Sequence, residues 1–131
     1  MNQNMKILIV DDFSTMRTIV KDLLRELGFS NFHEADDGDV AWEMVQAEAY
    51  DFIVSDWNMP NMTGLELLQK VRNDAKLKNT PFLLISAEAK RSQIIEATEA
   101  GVDDYIVKPF TAATLNEKIY TIFERISKRS I

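Results

Sequence analysis

The chain has 131 residues, 46% hydrophobic and 27% charged, which suits a folded domain and excludes a disordered or fibrous class. With 21 acidic against 15 basic side chains the net charge is -6, the wrong sign for a surface that tracks a phosphate backbone, so nucleic acid is not an expected partner. No cysteine is present to build a disulfide framework or a thiolate metal site, and the apolar run after Lys6 is too short for a signal-peptide core or a membrane span.

The first element is the run Ile7 to Val10, a strand that ends in Asp11 and Asp12. Phe13, Met16, Ile19, Val20, Leu23, Leu24 and Leu27 then recur at steps of three and four, and Gly28 stands at the C-terminal stop, which predicts an amphipathic helix. Phe32 to Ala35 is the second strand; the sole histidine, His33, borders it without a second metal ligand, so a structural role is expected. Val40 to Gln46 has helix-forming composition. Phe52 to Ser55 is the third strand, followed at once by Asp56, with Trp57 beside it and a break at Pro60. A helix over Leu65 to Asn73, a strand over Phe82 to Ser86 and a helix over Lys90 to Ala100 follow. The fifth strand, Tyr105 to Val107, runs into Lys108-Pro109. Thr114 to Glu117 has the spacing of a capping box and is expected to open the last helix, whose apolar face is Leu115, Ile119, Ile122, Phe123 and Ile126. The tail from Ser127 to Ile131 carries no signal.

Five strands alternating with five helices predict an α/β domain over residues 1–131, a doubly wound parallel sheet with helices on both faces. Such sheets bind ligands beyond the carboxyl ends of their strands. Here those ends carry Asp11 and Asp12, Asp56, Ser86 and Lys108. One aspartate there is an ordinary helix cap. Three carboxylates converging on one sheet edge would raise one another's pKa unless a cation neutralised them, which predicts a divalent ion. An all-oxygen donor set suits magnesium, which commonly shares one or two carboxylates with a phosphate. A phosphoryl group is then the missing partner, with the Lys108 ammonium as its point charge and the Ser86 hydroxyl as a donor.

Four segments, DDFSTMR from Asp11, SDWNMPNMTGLELL from Ser55, SAEAK from Ser86 and DDYIVKPFTAATL from Asp103, resemble the receiver domains of two-component response regulators, and most of all the stand-alone chemotaxis regulators of the CheY type. The resemblance covers nearly the whole chain and implies the flavodoxin-like strand order 2-1-3-4-5. It implies Asp56 as phospho-acceptor. Asp12, Asp56 and the backbone carbonyl of Asn58 would bind Mg2+ directly, with Asp11 acting through water. Lys108 would contact the phosphoryl group, Ser86 would be the hydroxyl switch, and Asn58 and Glu88 would tune the rate of reversal. Tyr105, Ala89, Ile94 and Lys118 would form the output surface, and the Lys108-Pro109 bond would be cis. A phospho-accepting signalling protein is implied rather than an enzyme: monomeric, cytoplasmic, and partnered by a CheA-like sensor histidine kinase, the flagellar motor switch protein FliM and a CheZ-like phosphatase.

Two positions depart from that pattern: Trp42 replaces a smaller aliphatic residue, and Ser86 replaces threonine. A paralogue that keeps the phosphorylation site but serves as a phosphate sink, or binds another target, stays open beside the motor reading. A haloacid-dehalogenase-type phosphatase wants D-x-D-x-[TV], which Asp11 to Thr15 does not supply, and a nucleotide or flavin module wants a Gly-rich loop after the first strand, which is also missing.

Overall fold

Each of the five apolar runs becomes a strand of one parallel sheet in the computed structural model, which describes residues 3–129. In chain order the elements are β1 (Lys6–Val10), α1 (Ser14–Glu26), β2 (Asn31–Ala35), α2 (Gly38–Ala47), β3 (Phe52–Asp56), α3 (Gly64–Arg72), β4 (Phe82–Ser86), α4 (Arg91–Ala100), β5 (Asp104–Val107) and α5 (Ala112–Arg129). The strands lie in the order β2-β1-β3-β4-β5. This is the flavodoxin-like arrangement, and Ser130 and Ile131 at the end of the uninformative tail lie outside the described residues.

Alternating side chains divide the interior into two cores, as a sheet covered on both faces requires. Leu8, Val10, Ile53 and Leu84 face α2, α3 and α4 through Ala41, Val45, Leu67, Leu68 and Ala97. Ile7, Ile9, Phe52, Val54, Leu83 and Ile85 face α1 and α5 through Val20, Leu24, Leu115, Ile119 and Ile122. Each fully buried Leu, Ile or Phe contributes about 1.5–3 kcal/mol of transfer free energy, which stabilises the sheet beneath the site. Among the described residues no helix is long and apolar enough to cross a membrane.

The helix ends correct the sequence reading in three places. Phe13 is the N-cap of α1 in extended conformation (φ -100, ψ 118), out of phase with the helix, and it is 65% exposed; Ile19 is exposed as well. Thr114 to Glu117 lies inside α5, because the Thr111 hydroxyl accepts the Thr114 amide at 3.2 Å and starts the helix one turn earlier. The capping box belongs instead to α3, where Thr63 Oγ1 accepts from the Glu66 amide and Glu66 Oε1 accepts from the Thr63 amide.

Arg72, the last residue of α3, binds across the bottom of the domain. Its guanidinium donates to the carbonyls of Gly101 (2.8 Å) and Thr80 (2.6 Å) and to Asp103 Oδ2 (2.9 Å), which also accepts the Phe82 amide (2.8 Å). Gly101 closes α4 in the left-handed region (φ 92), where a Cβ would be strained.

Candidate functional site

Register decides what meets at the top of the sheet. Val10 pairs with Ser55, Asp56 with Ile85 and Ser86 with Val107, so the residues that follow or end these strands project from one edge. Asp11 and Asp12 come from β1, Asp56 from β3, Ser86 from β4 and Lys108 from β5. Asp11, Asp12 and Asp56 each present a carboxylate oxygen, all within 4.8 Å of one another. Lys108 Nζ reaches Asp56 Oδ1 at 3.0 Å, and the Lys108-Pro109 peptide is cis.

Burial makes this group unusual. Asp11 is 2% exposed and Asp56 5%. Asp11 Oδ1 accepts from the Phe13 amide at 3.0 Å, and the Arg17 guanidinium donates to the Asp11 carbonyl at 2.6 Å. Among the described residues, Asp11 Oδ2 and Asp12 Oδ1 are buried without a hydrogen-bond partner. Desolvation pushes the Asp11 carboxyl from 3.8 to about 6, against the pull of the Phe13 amide and with the help of the Asp56 charge. Asp56 is also raised, because burial outweighs the Lys108 ammonium. Three carboxylates facing one lysine, with two oxygens unpartnered, form a donor set that fits a hard divalent cation.

The other predicted residues divide into those the fold gathers and those it leaves apart. Ser86 is buried at the end of β4, but its hydroxyl donates to the Glu88 carbonyl and accepts the Glu88 amide at 3.3 Å. Asn58 lies exposed two residues beyond Asp56, and Glu88 is exposed with its carboxylate on Lys90 (3.1 Å). Tyr105 and Lys118 meet: the ammonium lies 5.2 Å from the ring centroid and 3.4 Å from Asp104 Oδ1, and both line a cleft of about 290 Å³ with Pro109 and Thr114. Ala89 is exposed and Ile94 half-buried, and neither lines that cleft.

His33 makes a structural contact: Nδ1 lies 2.8 Å from Tyr50 Oη and 3.2 Å from Glu48 Oε1. Trp42 is half-buried in the α2 and α3 layer with Lys70 Nζ 5.5 Å from its ring centroid. Sequence reasoning passed over Ser55, whose hydroxyl donates to the Asp56 carbonyl at 2.9 Å. The available signal was a hydroxyl between the apolar run Phe52 to Val54 and Asp56. Arg17 was also passed over; a lone guanidinium in the first turn of α1 was its only mark.

Known proteins resemble this chain in sequence and in fold. The model of the response regulator receiver domain matches residues 7–120. The chemotaxis protein CheY-3 of Vibrio cholerae is 64% identical over 126 residues, which cover 96% of this chain and 97% of that protein. Among solved structures, the Vibrio cholerae chemotaxis protein CheY4 superposes with a TM-score of 0.83 at 34% identity, over 91% of this chain and 98% of that one. The receiver domain of a Pseudomonas aeruginosa sensor histidine kinase, which has a magnesium ion coordinated in its active site cleft, superposes with a TM-score of 0.80 at 27% identity, over 91% and 98%. A family match across all five strands and the first half of the last helix, and an identity this high to a chemotaxis regulator, leave one assignment: the chain belongs to the response regulator receiver domains, of the CheY-like chemotaxis kind.

Proposed function

We propose that Asp56 accepts a phosphoryl group from a sensor histidine kinase and that the charge gained there sets the state of a chemotaxis output surface. The observation that carries this reading is the buried group of Asp11, Asp12 and Asp56, with two orphaned carboxylate oxygens and one lysine. A purely structural cluster of that kind would be expected to carry partners for its buried oxygens. Asp12, Asp56 and the Asn58 carbonyl would hold magnesium, with Asp11 acting through water, and the ion would neutralise charge on the equatorial phosphoryl oxygens. The magnesium in the related kinase receiver supports this choice of ion.

In the reaction a carboxylate oxygen of Asp56 attacks phosphorus in line. One O–P bond forms, the P–N bond of a phosphohistidine or the P–O bond of an acyl phosphate breaks, and the imidazole or carboxylate departs with the electron pair. Lys108 follows the developing charge from its place at Asp56 Oδ1. Ser86 exchanges its bond to the Glu88 backbone for one to a phosphoryl oxygen, which loosens the loop before α4. Asn58 and Glu88 flank the path of the hydrolytic water and tune reversal. The output surface is Ala89, Ile94, Tyr105 and Lys118, its partner the motor switch protein FliM, and a CheZ-like phosphatase resets the site. On this reading the protein is a cytoplasmic monomer and a single receiver unit.

The test is intact mass after incubation with a small acyl phosphate and magnesium. One added phosphoryl group in the wild type, absent in Asp56→Asn and absent without magnesium, is the expected result. No gain under rapid quenching would overturn the reading.

A further inference from the structure

Ser55 is fully buried and polar, and the chemistry above does not use it. Its position in β3 turns its side chain to the face covered by α3, opposite to that of Asp56. There the hydroxyl donates to the carbonyl oxygen of Asp56 itself at 2.9 Å. The same oxygen is also closely approached by Gly64, the first residue of α3. A Cβ built on Gly64 would fall well inside van der Waals contact distance of the Asp56 carbonyl oxygen and 2.9 Å from Leu84 Cδ2. The Gly64 amide donates to the next carbonyl, that of Trp57, at 2.8 Å, and the Trp57 amide donates to Ile85 at 2.9 Å. Gly64 has no left-handed φ, so what this position needs is the absence of a side chain.

We propose that Ser55 and Gly64 form a clamp on the Asp56 carbonyl, which makes both of them positioning residues for phosphoryl acceptance at Asp56. The proposal rests on Asp56 being the acceptor. Fixing the carbonyl fixes the Asp56 peptide plane, and with it the direction in which Cβ leaves the strand. That direction sets the carboxylate against Asp12 and Lys108. In-line attack tolerates little error, since a displacement of about 1 Å can cost as much as a hundredfold in rate. Rigid support of the reacting group by neighbours that never touch the substrate is what such geometry demands.

The experiment compares wild type, Ser55→Ala, Ser55→Cys, Gly64→Ala and the hydroxyl-keeping control Ser55→Thr in the full chain. Phosphorylation by a small acyl phosphate is followed by timed quench and intact mass over a range of donor concentrations, well below the melting temperature. Thermal unfolding and magnesium titration of tryptophan emission are recorded on the same samples. Ser55→Ala and Ser55→Cys are expected to lower the phosphorylation rate constant about tenfold while the apparent KM for donor changes little. Their magnesium affinity falls too, because Asp56 is also a ligand. Ser55→Thr, which keeps the hydroxyl, recovers most of the rate. A role in stability alone would lower the melting temperature and leave the rate constant unchanged, so rates within twofold of wild type in both Ser55 variants overturn the clamp. Gly64→Ala should be slower than either, and if it does not fold the Ser55 pair decides. A wild type that takes no phosphoryl group refutes the acceptor assignment and the clamp with it; an active wild type matched by Ser55→Ala refutes only the clamp.

Discussion

Replacing Asp11 by Asn should stabilise the metal-free protein at neutral pH and have little effect in acid. Burial, opposed by the Phe13 amide and aided by Asp56, moves the folded-state pKa of Asp11 from 3.8 to about 6. A carboxyl whose folded pKa lies above its unfolded value binds its proton more tightly when folded. The stability this confers is therefore present below the unfolded pKa and is lost as pH rises through the folded one. A shift of about two units makes ionised Asp11 a cost of about 3 kcal/mol at pH 7.5, shrinking to about 0.5 kcal/mol at pH 4. Asparagine keeps an oxygen for the Phe13 amide and places an amide donor where the orphaned Oδ2 stands among the carboxylates. After allowance for the weaker neutral hydrogen bond, a gain of about 1–3 kcal/mol is expected at pH 7.5 in chelator. Urea unfolding followed by tryptophan emission, at pH 7.5 and pH 4, with and without magnesium, measures it. The advantage should narrow or reverse in magnesium, because wild type then gains binding energy that the variant lacks. A variant less stable than wild type at pH 7.5 in chelator would refute the argument, since the buried charge would then be stabilising by itself.

Two further substitutions address the scaffold. Arg72→Ala removes the bonds to Gly101, Thr80 and Asp103 and leaves the Asp103 carboxylate, 11% exposed at its side chain, without that cation. A loss of about 3 kcal/mol in urea unfolding is expected, with the phosphoryl gain on Asp56 retained; a loss under about 1 kcal/mol would show that the remaining bonds of Asp103 suffice. Thr63→Ala breaks the capping box of α3 and should cost about 1 kcal/mol. Calorimetry would report it, and an unchanged melting temperature would assign the start of α3 to its packing rather than to its cap.

Strands were legible because each short apolar run between turn formers had one sensible reading, and all five lie within a residue of their expected bounds. Helix starts were less legible, since capping depends on which hydroxyl meets which amide and several candidates sit close together. Thr114 with Glu117 has the right spacing, yet Thr111 takes the amide first. Thr63 with Glu66 has the same spacing and is the real box, and nothing in the two tetrapeptides separates them. Phe13 read as core because its interval to Met16 and Val20 fits a helix, but the chain enters α1 only at Ser14. The acidic group was legible as soon as strand ends were taken as the binding edge, and Asp11, Asp12, Asp56 and Lys108 do converge. Ser86 was legible as a position but not in its contact, since its hydroxyl is turned to the Glu88 backbone. Ser55 escaped because a carbonyl acceptor leaves no trace in a side-chain pattern.

The grip of Arg72 also makes α4 an unevenly moored helix. Its C-terminal end is roped to α3 through the Gly101 carbonyl and to β4 through Asp103, and Arg125 adds a line from α5 to the Asp103 carbonyl at 2.9 Å. Among the described residues its N-terminal end has no such mooring: Lys90 provides no side-chain cap, the three residues before Arg91 are exposed, and Ala97 is the one buried residue of the helix. Opening free energy should therefore rise along α4 from Lys90 towards Gly101. A disturbance arriving from the loop after β4 would swing the helix about its far end, so that a small change beside Ser86 becomes a larger sweep at Ala89 while the base of the domain stays still.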